Sequence, residues 1–193
     1  MELSLQDYRR IALMSLWAGL IVTVGMVFAL IPNMELVILS AFLGGIALGP
    51  RRGFIVAFIG EAIFSALNPI GSGLGFPILY AFQVFTIGLS GLVGGLTSRF
   101  FAREGHYLQF SILLGITGFL LTLIYDVLTA LSFPISSGMT EGTIWATLTT
   151  GLVFFTMHLV SNTLLFGFFG PGLVQLVNRQ LEMHGMLEVK RVS

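Results

Sequence analysis

Long apolar stretches, separated by short polar or glycine- and proline-rich connections, dominate the pattern along this chain. Several stretches reach about twenty residues, the length that a helix needs to cross the hydrocarbon core of a membrane. The pattern predicts one polytopic domain over residues 1–193 with an amphipathic cytoplasmic tail at 172–193. We expect the first apolar stretch to be a retained helix, because no clear cleavage site follows it. The six predicted helices span about 11–31, 34–49, 52–67, 78–98, 107–132 and 143–169.

Composition indicates the same class of protein. Of the 193 residues, 55% are hydrophobic and only 9% are charged, whereas soluble domains have about 25% charged residues. The fold class predicted is therefore an all-α integral membrane protein whose surface contacts membrane lipid. The net charge is zero, so no nucleic acid partner is expected. The absence of cysteine excludes disulfides, thiolate catalysis and cysteine metal sites.

The basic residues predict the topology. With six helices, all nine fall before the first helix, in the second–third or fourth–fifth connection, or in the tail. Lysine and arginine in short loops mark the cytoplasmic side, so both termini are predicted to be cytoplasmic. A re-entrant hairpin would place Arg51 and Arg52 at membrane depth, at about 2.5–3.5 kcal/mol each. The nine residues are Arg9, Arg10, Arg51, Arg52, Arg99, Arg103, Arg179, Lys190 and Arg191.

Polar residues inside the apolar segments are the candidates for a binding site, because such groups are expensive in a membrane and usually face a cavity or one another. They recur at spacings of three and four, which places each set on one helix face. With alternating helix directions, most fall in the middle or outer half of the membrane, which predicts a pocket that opens outward. The sets are Glu61, Ser65 and Asn68; Tyr80, Gln83 and Thr86; Thr122, Tyr125, Asp126 and Thr129; and Phe154, His158 and Asn162.

Each candidate also has a structural explanation. Gln83 and Asn162 could bond across helices. His158 could form a structural ion pair with Asp126 or with Glu61, or the three could form a proton relay. One membrane histidine and two separated carboxylates show no recognisable metal-ligand spacing, so no metal site is predicted.

No catalytic motif is present in the sequence. It contains no G-x-x-x-x-G-K-[ST] loop, no G-x-S-x-G turn and no H-E-x-x-H helix. We therefore expect no ATPase or other enzymatic activity from this chain alone, and no cofactor.

Small residues at a spacing of four predict close helix packing. Gly45 with Gly49, and Gly91 with Gly95, are expected to pack within the chain. Ser15 and Gly19 form a similar pair on the first helix, with Ala12 close by, and this face could instead contact another protein.

Three segments in order resemble the S components, the substrate-binding membrane subunits of energy-coupling factor (ECF) transporters. They are PNMELVILSAFLGGIALGPRRGF, SALNPIGSGLGFP before a helix with Gln83, and HLVSNTLLFG. The resemblance covers roughly residues 10–175 and implies a six-helix bundle in a bacterial or archaeal cytoplasmic membrane. It also implies capture of a vitamin or related micronutrient at the outer face. Release inside would follow tilting on a T component driven by two cytosolic ATPase subunits.

The resemblance also implies roles for particular residues. Ser15 and Gly19 occupy the positions of the family's alanine-xxx-alanine docking motif. Ligand contacts in this family come largely from the last three helices and the covering loops. This favours Gln83, Tyr125, Asp126, His158 and Asn162, with Asn33, Glu35 and Asn68 at the mouth. Glu61 is a further candidate from the polar face of its own helix, where it could brace the pocket instead of touching the ligand. A heteroaromatic vitamin or precursor suits such a site, and a corrinoid-related compound is an alternative. The competing hypothesis is a stand-alone proton-coupled carrier or channel.

Overall fold

The computed structural model describes residues 4–31, 36–101 and 107–183, and every regular element in these ranges is helical. A short 3-10 helix, Gly73–Gly75, precedes α4, and a π-helical segment, Leu165–Phe169, joins α6 to α7. The helices are α1 Leu5–Phe28, α2 Val37–Leu48, α3 Pro50–Leu67, α4 Pro77–Phe101, α5 Tyr107–Ser137, α6 Glu141–Leu164 and α7 Gly170–Met183.

The all-α fold is confirmed. Because α6 continues through the π-helical segment into α7 as one long helix, the described residues form six helices besides the short 3-10 helix. Four of them are long and apolar enough to cross a membrane: Asp7–Phe28, Pro77–Phe101, Tyr107–Ser137 and Glu141–Met183. These four helices indicate a multi-pass membrane protein. The α2 helix has 12 residues, and at 1.5 Å per residue it extends only about 18 Å.

The short α2 helix lies at the centre of the fold. All ten residues from Val37 to Ile46 are buried, and they pack against α3, α4, α1 and α7. A helix that is apolar on every side is typical of a core position. The neighbouring helices therefore surround α2. Burial inside the protein is enough to explain its apolar sequence, so the sequence alone does not show that α2 contacts lipid.

Glycines allow α2, α3 and α4 to pack backbone against backbone. A Cβ atom on Gly53 would lie 2.5 Å from the Cα of Gly45, and one on Gly91 would lie 2.7 Å from the carbonyl carbon of Gly53. A Cβ on Gly95 would collide with the backbone of Pro50. The predicted intramolecular packing is thus confirmed for Gly45, Gly91 and Gly95. Gly49 has a different role, since its φ of 82° forms the tight turn between α2 and α3.

The helix ends differ from the predicted ones where local hydrogen bonding outweighs the hydropathy pattern. The α1 helix begins at Leu5 and not near residue 11, because Ser4 and Asp7 form a capping box at its N-terminus. The α5 helix passes Pro134 and ends at Ser137 instead of 132. In this last part of α5, Ser136 donates a hydrogen bond to the carbonyl oxygen of Ser132 over 2.7 Å.

The predicted end of the last helix near Gly170–Pro171 is not observed. Proline lacks an N–H group, and its ring clashes with the carbonyl four residues earlier in an α-helix. The π-helical segment immediately before Gly170 lengthens the backbone turn and accommodates Pro171 at the start of α7. The tail is amphipathic as predicted up to Met183: Val174 and Leu181 are buried, whereas Gln175 and Glu182 are exposed.

Candidate functional site

A buried ion pair between α5 and α6 is the centre of the candidate site. Nδ1 of His158 lies 2.7 Å from Oδ1 of Asp126. His158 is 1% exposed and Asp126 is 3% exposed, so solvent reaches neither group. The structure forms the Asp126–His158 pair, one of the pairings left open by the sequence. Because both residues lie in helices long enough to span a membrane, the pair needs this mutual contact to offset the loss of water.

Two aromatic rings pack against the imidazole of His158. The ring of Tyr125 meets it edge to face, with centroids 5.7 Å apart and an interplanar angle of 73°. The ring of Phe154, one turn before His158 on α6, lies 6.0 Å away at a tilt of 41°. These rings hold the imidazole in one orientation and provide an apolar wall beside the ion pair.

Gln83 connects this part of the fold to α3 and α4. Its Oε1 accepts a hydrogen bond from Oγ of Ser65 over 2.9 Å, and its Nε2 donates to the hydroxyl of Tyr125 over 3.3 Å. Tyr80 adds a second α3–α4 link, since its hydroxyl donates to the carbonyl oxygen of Ala62 over 3.0 Å. The four polar faces predicted separately on α3, α4, α5 and α6 therefore meet through these contacts. We call Ser65, Gln83, Tyr125, Asp126 and His158 the polar cluster.

Asn162 and Glu61 extend the buried polar surface. Nδ2 of Asn162 donates to the carbonyl oxygen of His158 over 3.2 Å, one turn along α6 from the ion pair. Asn162 is 0% exposed and Glu61 on α3 is 1% exposed. Glu61 lies one turn from Ser65, on the same face of α3. Both side chains thus lie inside the bundle, as expected if the polar faces of α3 and α6 point inward.

The predicted mouth residues are placed in part. Asn68 ends α3, and its Oδ1 accepts a hydrogen bond from the N–H of Ile70 over 2.9 Å, which shapes the connection to α4. Ser72 steadies the same connection by donating to the carbonyl oxygen of Ala66 over 2.8 Å. Asn33 and Glu35 lie outside the described residues. The structure therefore assigns Asn68 a role in the turn and leaves the ligand contacts of all three residues as predictions.

The predicted docking residues on α1 face outward. Ala12, Ser15 and Gly19 are all exposed. A Cβ atom on Gly19 would meet no other atom within 4 Å, in contrast to Gly25 on the same helix, where it would collide with the ring of Phe64. The small residues of this face are not used for packing within the described chain.

A cavity of about 280 Å³ lies between α5 and α6 beside the ion pair. Asp126 contributes its one acidic group, and the other lining residues include Val127, Pro134, Leu148 and Phe155. Larger cavities lie elsewhere: an apolar groove of about 550 Å³ near Tyr107 and Phe168, and a cleft of about 590 Å³ beside Arg51 and Arg52. Only the smallest of the three reaches the polar cluster, and its volume is close to the lower limit for small-molecule sites.

Sequence reasoning placed Ser65 and Thr122 on candidate polar faces but did not select them as ligand contacts. Spacing shows that a hydroxyl faces the bundle, but not whether it bonds to its own backbone or to another helix. Among the described residues, no group of three or more histidine, cysteine or acidic side chains is close enough to hold a metal ion.

No protein-family model matches this chain, and no curated protein or solved structure has significant similarity to it.

Proposed function

We propose that this chain is the substrate-binding membrane subunit of an ECF-type importer for a vitamin or related micronutrient. The observation that carries the proposal is the polar cluster, which joins four helices inside an otherwise apolar bundle. A folded membrane protein bears the expense of buried ionisable groups mainly where they bind or move something. The cavity beside Asp126 and the aromatic rings around His158 suit a small, partly aromatic ligand.

The proposed topology has both termini in the cytoplasm and six membrane crossings, including α2 and α3. In this arrangement α3 and α5 run outward, while α4 and α6 run inward. Ser65 and Gln83 then lie near the outer ends of their helices, and Asp126 and His158 lie near the middle. The connection from Asn68 to Phe76 would cover the site from outside.

The topology can be tested with single cysteines, because the natural sequence has none. We expect Gly71→Cys, in the exposed α3–α4 connection, to react with a membrane-impermeant maleimide in intact cells. Gln175→Cys, on the exposed face of α7, should react only after the membrane is permeabilised. Labelling of both cysteines from outside, or of Gly71→Cys only after permeabilisation, would contradict the proposed orientation.

Partner docking is assigned to the outward-facing small residues of α1. The proposed partners are a T component and two cytosolic ATPase subunits. These subunits would supply the ATPase activity, because this sequence contains no ATP-binding loop motif. Small residues let two helix backbones approach closely, and the positions at Ala12, Ser15 and Gly19 are open in this chain.

Replacement of Gly19 with tryptophan should abolish co-purification of this chain with the T component and ATPases, since an indole ring would hold the helices apart. The measurement is affinity purification from cells that co-express all subunits. The matched control is Ile124→Trp, at an exposed position on α5, which should leave the complex intact. A complex that tolerates Gly19→Trp and Ser15→Trp would place docking elsewhere. A wild-type chain that never associates with such a module would refute the proposal.

The Asp126–His158 pair also favours a second candidate, a stand-alone proton-coupled carrier or channel. Imidazole and carboxylate are the groups that proton relays use. This alternative predicts flux driven by a pH gradient in liposomes that contain only this chain. The importer subunit should show no such flux without its partners.

A further inference from the structure

The hydroxyl of Thr122 behaves differently from the other helical threonines. A threonine inside a helix usually donates to the carbonyl oxygen one turn earlier. Ten of the described threonines do so, including Thr117 and Thr129 on the same helix, at 2.8 Å each. Thr122 is 0% exposed, yet its Oγ1 has no hydrogen-bond partner among the described residues. A buried hydroxyl without this bond indicates that another group should satisfy it.

Two further buried oxygens near Thr122 also have no hydrogen-bond partner among the described residues. Oδ2 of Asp126 and Oδ1 of Asn162 have no partner within the described part of the chain, although the other polar atom of each side chain is bonded. Both residues are more than nine-tenths buried. Three oxygens of three different kinds, a carboxylate, an amide carbonyl and a hydroxyl, thus lack partners in one region of the interior.

The pairing of α5 with α6 places the three residues on adjacent turns. Asp126 contacts His158, and two turns further along a Cβ on Gly118 would touch the ring of Phe166 at 2.5 Å. Between these two contacts the antiparallel register sets Thr122 opposite Asn162. Thr122 is also one turn from Asp126 on the same face of α5, where side chains are neighbours. The three residues therefore lie on adjacent turns of the α5–α6 contact.

We infer that Thr122, Asp126 and Asn162 form a binding site for a dehydrated monovalent cation of about the size of Na⁺. Carboxylate, amide and hydroxyl oxygens are the ligands that hard cations prefer. A vitamin-sized ligand does not fit at these three atoms, because each is shielded from solvent. A cation at Oδ2 would place positive charge directly beside the carboxylate of Asp126 in the low-dielectric interior.

The backbone next to Asn162 supports the same assignment. The π-helical segment begins at Leu165, three residues beyond Asn162, and the N–H of Leu165 is shared between the carbonyl oxygens of Ser161 and Asn162. A carbonyl in such a shared bond keeps a lone pair for another partner. Membrane transporters hold Na⁺ with side-chain oxygens and with carbonyls at interruptions of a helix. The cation site shares Asp126 with the polar cluster but uses the other carboxylate oxygen, since Oδ1 contacts His158 and Oδ2 has no partner among the described residues.

The inference can be tested with the purified full-length chain in detergent micelles. We expect ²²Na⁺ to bind at a single saturable site and to be displaced by unlabelled NaCl but not by choline chloride. Added NaCl should also raise the midpoint of thermal unfolding in a saturable way at constant ionic strength, because a ligand that binds only the folded state stabilises it.

The decisive comparison is Thr122→Val against Thr117→Val. Valine has the same shape as threonine without the hydroxyl, and Thr117 is a half-buried position on the same helix whose hydroxyl donates to its own helix backbone. Thr122→Val and Asn162→Leu should weaken ²²Na⁺ binding at least tenfold, whereas Thr117→Val and Thr122→Ser should bind as the wild type does. Unchanged binding in Thr122→Val, or the absence of a saturable site in the wild type, would overturn the inference. Neither result bears on the importer proposal, since no substrate takes part in the assay.

Discussion

Replacement of His158 with leucine should destabilise the folded chain by about 3–5 kcal/mol, which is typical when one member of a buried ion pair is removed. The carboxylate of Asp126 would lose the Nδ1 contact at 2.7 Å and remain buried in the bundle, where it must stay charged without a counter-charge or take up a proton. The measurement is the free energy of unfolding in mixed detergent micelles.

The double variant Asp126→Leu with His158→Leu separates a structural role from a binding role. Removal of both charged groups should recover much of the lost stability, because well-packed apolar residues often replace a buried pair at no cost. Ligand binding should be lost in the single and the double variant alike. If the double variant binds the ligand as the wild type does, the pair only holds α5 against α6, and the polar cluster is not the substrate site.

Replacement of Gly91 with valine should prevent the chain from accumulating as a folded, monodisperse protein. A Cβ atom at this position would lie 2.7 Å from the carbonyl carbon of Gly53 and 2.9 Å from the Cβ of Ala57, and it would collide with the carbonyl oxygen of Gly53. Overpacking of a core usually costs about 1–3 kcal/mol. Here the neighbour is a backbone that cannot change rotamer, so we expect the loss of stability to reach or exceed the upper end of that range.

Gly19→Val is the matched control, since it places the same side chain on a helical glycine with no other atom within 4 Å of its Cβ. Its midpoint of thermal unfolding should remain close to that of the wild type. Size-exclusion chromatography and thermal unfolding in detergent measure both variants. A Gly91→Val protein as stable and monodisperse as Gly19→Val would show that α2, α3 and α4 do not pack as closely as the structure has them.

The helical class and the glycine packing could be predicted from sequence because they depend on local patterns. Apolar stretches of about twenty residues admit few structures, and a pair such as Gly91 and Gly95 allows two helix backbones to approach closely. The same pattern at Ser15 and Gly19 has the opposite outcome, because that face points away from the bundle. The spacing of small residues shows that a helix face can pack closely. It does not show whether the partner is another helix of the same chain or another protein.

The pairing of His158 could not be predicted, because Glu61 and Asp126 are chemically similar and both lie on inward faces. The contact with Asp126 depends on the register between α5 and α6, which small residues such as Gly115 and Gly167 set by close backbone contact. The continuation of the last helix past Pro171 has a comparable cause. Glycine followed by proline normally ends a helix, and only the π-helical segment before it makes the continuation possible.

The proposal that this chain captures a micronutrient is tested most directly by mass spectrometry of the small molecules that co-purify with it. The wild-type chain should be compared with the double variant Asp126→Leu with His158→Leu, purified in parallel from the same medium. We predict that a vitamin or precursor with a heteroaromatic or corrinoid ring is enriched with the wild type and absent from the variant. If no small molecule is enriched with the wild type, or if the same molecule accompanies both proteins equally, the account of the polar cluster as a substrate site is wrong.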